Sequence, residues 1–119
     1  MILYHYTDAK GMRAILESGR LLASTAAANP QDVRYGDGQY LSNVVPGTKT
    51  PAQLSRESLN QPFQGRKFTH YIAIEVEGLE LIWGRPGVCV IPNVRPLELG
   101  RRLVGFGENS APPESRRGS

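Results

Sequence analysis

The sequence predicts an α+β domain built on a strongly bent or split, mostly antiparallel sheet. Six or seven short β-rich segments run through the chain, two helical stretches lie near its front, and glycines and prolines punctuate the later half. At 119 residues the chain can bury one core without disulfides or metal. The domain is expected to span residues 1–108, with the Pro/Ser/Arg-rich residues 109–119 as a flexible tail.

Residues 2–6, Ile-Leu-Tyr-His-Tyr, are β-branched and aromatic and read as a strand. A period of two sets Leu3 and His5 on one face and Ile2, Tyr4 and Tyr6 on the other. From Asp8 to Ser18 the pattern is helical: Thr7 or Asp8 can cap the first turn, Met12, Ile15 and Leu16 form one stripe, and Gly19 stands at the C′ position. Residues 19–24 read as a short return strand, and a polar, Ala-rich loop runs to Val33. A strand then begins near Tyr40 and ends before the Pro46-Gly47 turn. In Thr50-Pro51-Ala52-Gln53, Thr50 can cap, Pro51 suits the first helical position and Gln53 can close a capping box, so a second helix is expected to about Leu59. Residues 60–69 form a polar loop carrying Phe63, Arg66, Lys67 and Phe68. His70 to Val76 alternates, with Ile72, Ile74 and Val76 inward and Tyr71, Ala73 and Glu75 outward. Residues 79–83, 87–91 and 102–106 are three further short strands.

Composition narrows the class. The single cysteine, Cys89, sits in an apolar run and reads as a buried strand residue, so no disulfide forms within the chain. No His/Cys group has zinc spacing, and no apolar run has membrane-spanning length or the form of a signal peptide. No metal and no membrane are therefore expected, and export by the N-terminus is not. A net charge of +3 favours an anionic ligand without requiring one. The arginines are scattered, unlike those of a dedicated nucleic-acid binder.

Function-bearing chemistry centres on Arg34-Tyr35-Gly36-Asp37-Gly38-Gln39-Tyr40-Leu41-Ser42. Gly36 and Gly38 allow the main chain to bend tightly and approach a partner, and Tyr40 follows as a flat surface with Ser42 on the same side of the strand. Taken alone, this stretch reads first as a hairpin turn with a core tyrosine, and His5 taken alone as a satisfied core histidine.

The two stretches belong to a larger pattern. Leu3-Tyr-His-Tyr-Thr7, Gly36-Asp-Gly-Gln-Tyr-Leu-Ser42, Gly65-Arg-Lys-Phe-Thr-His-Tyr-Ile72 and Val90-Ile-Pro-Asn93 occur in this order. With the Ile15-Leu16-x-x-Gly19 helix end, the chain resembles the toxin-associated HYD1-signature ADP-ribosyltransferases, within the His–Tyr class that includes the poly(ADP-ribose) polymerases. The resemblance covers Ile2 to about Phe106 and implies an ADP-ribosyltransferase-like fold with NAD as co-substrate and no metal. It implies His5, Tyr6, Thr7, Tyr35, Gly36, Gly38, Tyr40, Ser42 and Val88 at the cofactor: His5 and Thr7 on ribose hydroxyls, the Tyr6 main chain on the carboxamide, and Tyr40 stacked on nicotinamide.

Many relatives add a glutamate on a later strand. Here Val88 or a neighbour occupies that place, and Asp37 and Glu98 are the alternative carboxylates; Glu75 stands on a strand where a helper is less expected. His5, Tyr40, Asp37 and Glu98 are thus the candidate catalytic residues. Because the nicotinamide of NAD leaves as a neutral ring, the enzyme's task is to stabilise an oxocarbenium-like ribosyl cation and exclude water until an acceptor attacks. The expected function is toxin-type mono-ADP-ribosyl transfer to a macromolecule, protein or RNA. NAD hydrolysis and a non-catalytic NAD- or ADP-ribose-binding module are the alternatives. A monomer is expected, in the cytoplasm or delivered into a target cell's cytoplasm, with a cognate immunity protein implied by the resemblance alone. The 60–69 loop is expected to line the cleft mouth through Phe63 and Arg66-Lys67, or else to tuck its aromatics under the sheet.

Overall fold

The computed structural model describes residues 1–24, 36–54, 67–84 and 87–110. The fold is α+β with antiparallel pairing throughout its described ladders. It contains β1 (Ile2–Thr7), α1 (Ala9–Ser18), β2 (Arg20–Leu21), β3 (Gln39–Leu41), β4 (His70–Glu75), β5 (Ile82–Trp83), β6 (Cys89–Ile91), β7 (Leu97–Glu98) and β8 (Leu103–Glu108), with a 3-10 turn at Gly100–Arg102. Residues 51–54 are helical as expected, with Thr50 and Gln53 exchanging the two bonds of a capping box. The remainder of that helix lies outside the described residues.

The sheets are β1-β4-β8, β2-β7 and β3-β6-β5. An antiparallel bridge between Tyr4 and Ser42 joins the first to the third, so the order across both reads β8-β4-β1-β3-β6-β5. The split of the expected sheet therefore lies between β1 and β3.

Local chemistry sets the first turn of the chain. Asp8 caps α1 by accepting the Gly11 N–H at 2.7 Å, and Gly19, at φ 71°, ends it by donating to the Ile15 carbonyl. A side chain at Gly11 would collide with the Thr7 hydroxyl, so helix and strand meet closely there.

The period of two in β1 divides two cores. Leu3 joins Ile15, Leu41, Ile72, Ile74, Cys89 and Ile91 in the main core, while Tyr6 packs with Leu54 and Phe68 on the opposite face, flanked by Tyr4, Val44 and Tyr71. That second core corrects the reading of β4 as having a wet face. Ala73 is buried and Tyr71 packs edge-on to Tyr4, on the side where Val44, Leu54 and Phe68 gather. Strand lengths also differ: residues 79–81 are outside β5, and β7 adds a strand that the sequence pattern does not mark. Asn109, placed by expectation in the tail, is buried. Its amide donates to the Phe68 carbonyl at 2.9 Å and accepts from Gly47 N–H, and its own N–H bonds the Thr69 carbonyl. Residues 111–119 lie outside the described ones.

Candidate active site

Main-chain polar groups point to alternate edges along a strand, and that alternation builds the site. Tyr4 and Ser42 exchange both bonds, at 2.8 and 2.7 Å. The N–H and C=O groups of Tyr6, two residues on, must turn toward the same edge, while those of Leu3, His5 and Thr7 serve the ladder to β4. On β3 the corresponding edge is shared among Ser42, Tyr40 and Gly38. Ser42 pairs with β1, whereas Gly38 exchanges two bonds with Ser24, at 2.8 and 3.0 Å. Between those anchors β1 and β3 part. Tyr6 and Tyr40 stand on either side of the opening, and no ladder bond joins them among the described residues.

His5 spans the parting. Its Nδ1 lies 3.0 Å from the Tyr40 carbonyl oxygen. A carbonyl only accepts, so Nδ1 carries the proton and the neutral ring keeps Nε2 as an acceptor suited to a hydroxyl. Burial holds the imidazole below its ordinary value; the Tyr40 carbonyl pulls it upward less strongly. Burial likewise pushes the Tyr6 phenol upward, with Tyr4 and Tyr71 adding to it, and its hydroxyl donates to the Val44 carbonyl at 2.7 Å.

Tyr40 is half-buried, and its hydroxyl donates to the Gly36 carbonyl at 2.7 Å, fixing the ring over the turn that precedes it. Gly36 adopts φ 98° in open space, whereas Gly38, at φ 153°, approaches so closely that a Cβ would collide with the Ile91 carbonyl oxygen. The glycine pair therefore has two reasons: conformation at one position and contact at the other. Ser42 is buried, and its hydroxyl accepts the Val44 N–H at 3.0 Å. Val88 is buried immediately before β6, whose Cys89 pairs with Leu41. Burial also pushes the Cys89 thiol upward, in keeping with a core residue.

Structure brings His5, Tyr6, Gly38, Tyr40 and Ser42 together at the parting of β1 and β3, with Thr7 beside it under the first turn of α1. Of the candidate carboxylates, Asp37 adjoins Gly38 of the site, whereas Glu98 and Glu75 are engaged elsewhere. Asp37 is exposed in the turn before β3. Glu98, on β7, pairs with Arg20 at 2.9 Å in solvent, and Glu75 binds the N-terminal ammonium at 2.7 Å. Tyr35, Phe63 and Arg66 lie outside the described residues; Phe68 is buried in the second core.

One site neighbour escapes a reading of the sequence. Gln39 is buried, with Nε2 donating to the carbonyls of Leu21 and Arg95, and so ties β3 to β2 and the turn before β7. Its Oε1 has no partner among the described residues. A polar residue between glycine and tyrosine gives no local sign of burial, so only the tertiary structure reveals it. Among the described residues no His/Cys/Asp/Glu group could hold a metal, and no helix is long and apolar enough to cross a membrane.

A toxin-type family model, described as HYD1 signature containing ADP-ribosyltransferase, matches residues 3–103. No curated protein and no solved structure matches the chain.

Proposed function

The chain belongs to the HYD1 signature containing ADP-ribosyltransferase family, and from that premise we propose that it transfers ADP-ribose from NAD to a macromolecular acceptor, as a toxin-type mono-ADP-ribosyltransferase. The observation that carries this reading is the parting of β1 and β3, where the Tyr6 main chain faces an opening spanned by the bond from His5 to Tyr40. A carboxamide needs one donor and one acceptor side by side, and a strand edge released from its ladder offers that pair.

The residues present fit NAD at this place. Tyr6 N–H and C=O would hold the carboxamide, His5 Nε2 would accept from a ribose hydroxyl, and the Tyr40 ring would supply the stacking face. NAD supplies a ribosyl carbon whose bond to nicotinamide breaks with the electron pair leaving on the ring nitrogen, which becomes neutral. The acceptor atom forms the new bond to that carbon and gives its proton to solvent. The protein's part is to hold the sugar and ring in line and keep water out, which lowers the barrier through position rather than proton transfer to the leaving group. On the alignment that sets Val88 or a neighbour where many relatives carry a glutamate, the site is suited to a single transfer rather than chain elongation.

Mass spectrometry of cell extract incubated with the protein and NAD tests this reading. Labelled protein or RNA with release of nicotinamide is expected. Free ADP-ribose as the sole product would make water the acceptor, and NAD recovered intact would overturn catalysis altogether.

A further inference from the structure

Of the run Gly65-Arg-Lys-Phe-Thr-His-Tyr-Ile72, residues 67–72 are described and include the start of β4, which pairs with the edge of β1 away from the opening. His70 is paired with Thr7 of β1 on one side and with Glu108 of β8 on the other. Directly opposed residues of antiparallel strands share a face and lie about 5 Å apart. His70 therefore stands on the face that carries His5 and Thr7, one strand farther from Tyr40 than they are. A row on this face runs from Thr7 on β1, through His70 on β4, to Glu108 on β8, whereas Tyr40 follows Ser42, the partner of Tyr4, on the other face.

The histidine is also held in place. Thr69 Oγ1 lies 3.0 Å from His70 Nδ1, and the preceding backbone is clamped by Asn109, which bonds the Phe68 and Thr69 carbonyls. The Thr69 hydroxyl engages Nδ1, so Nε2 is the ring nitrogen through which His70 meets a ligand, and it is a donor where that hydroxyl donates to Nδ1.

We propose that His70 is a ligand-binding residue for the adenosine diphosphate half of NAD, donating from Nε2 to a hydroxyl or phosphate oxygen beside Thr7. This rests on the proposed binding of NAD between β1 and β3. The half is chosen by place: the stacking ring and the Tyr6 main chain lie on the β3 side of β1, and His70 lies on the other, so it cannot serve the nicotinamide.

Titration calorimetry with ADP, and inhibition of NAD turnover by nicotinamide, separate the two halves. His70→Gln places an amide N–H near the position of Nε2, whereas His70→Asn lacks that reach. His70→Ala and His70→Asn should weaken ADP by about tenfold while His70→Gln keeps most of the affinity, and nicotinamide should inhibit all of them like the wild type. Melting curves establish that each variant is folded, and the Asn and Gln pair decides the question should the alanine variant fail to fold. ADP affinity within twofold of wild type in His70→Asn would overturn the assignment, as would parallel loss for ADP and nicotinamide. A wild-type protein that turns over NAD while these variants bind ADP normally sinks this inference alone; a wild type that binds neither NAD nor ADP sinks the NAD reading with it.

Discussion

His5 Nδ1 and the Tyr40 carbonyl oxygen lie 3.0 Å apart across the point at which β1 and β3 stop pairing. A side chain here takes over from a ladder bond, so the two strands are held at a fixed separation while the Tyr6 main chain is left facing the opening. Replacing His5 with alanine removes both the spacer and the Nε2 acceptor. NAD turnover should fall at least about tenfold with the domain still folded, as read by steady-state kinetics beside a melting curve. Loss of the fold with normal turnover per folded molecule would make His5 a core residue.

The same bond sets a pH dependence. Burial keeps the His5 imidazole below its ordinary value in the folded state, while the unfolded chain takes up a proton at about pH 6.5. Above that pH both states are neutral and His5 adds no pH dependence. As the pH falls below it, the unfolded state binds the proton first and stability declines. The melting temperature should therefore drop between pH 7 and 5, and the drop should be smaller in His5→Gln. An unchanged pH profile in that variant would show that His5 titrates alike in both states.

Tyr40 separates ring from hydroxyl. The hydroxyl holds the Gly36 carbonyl, whereas the ring is the stacking face. Tyr40→Ala should lose about tenfold or more in turnover, and Tyr40→Phe should keep most of it. Equal losses would assign the role to the hydroxyl and the turn that it fixes.

The two glycines should respond differently to alanine. At Gly36 the cost is conformational alone, about 1 kcal/mol, because the surrounding space is open. At Gly38 an added Cβ meets the Ile91 backbone as well, and the loss should exceed about 2 kcal/mol by denaturant unfolding. Equal losses would contradict the close contact between β3 and β6.

What the sequence made legible was local. The Asp8 cap, the Gly19 stop, the capping box at Thr50 and Gln53, and the alternation in β1 each depend on residues within a few positions, and each is found in the structure. Less legible were features set by distant partners. Ala73 is buried although alternation alone marks its face as wet, and Tyr71 on the same face packs with Tyr6, Leu54 and Phe68. Gln39 and Asn109 are buried because carbonyls of remote segments receive their amides. The row from Thr7 through His70 to Glu108 depends on register between strands far apart in sequence, which no local pattern encodes. At the site, the residues on β1 and β3 could be named from motif order, but the opening between them is a property of where pairing ends.

That opening is best tested at the Tyr6 amide itself, by hydrogen exchange measured with NMR in the absence and presence of saturating, replenished NAD. If the Tyr6 N–H holds the carboxamide, its exchange should slow markedly on adding NAD, while the amides of Leu3 and His5, already bonded within the ladder to β4, change little. Tyr6 exchange that is unaffected by NAD, under conditions in which NAD is bound or consumed, would contradict the placement of the nicotinamide between β1 and β3.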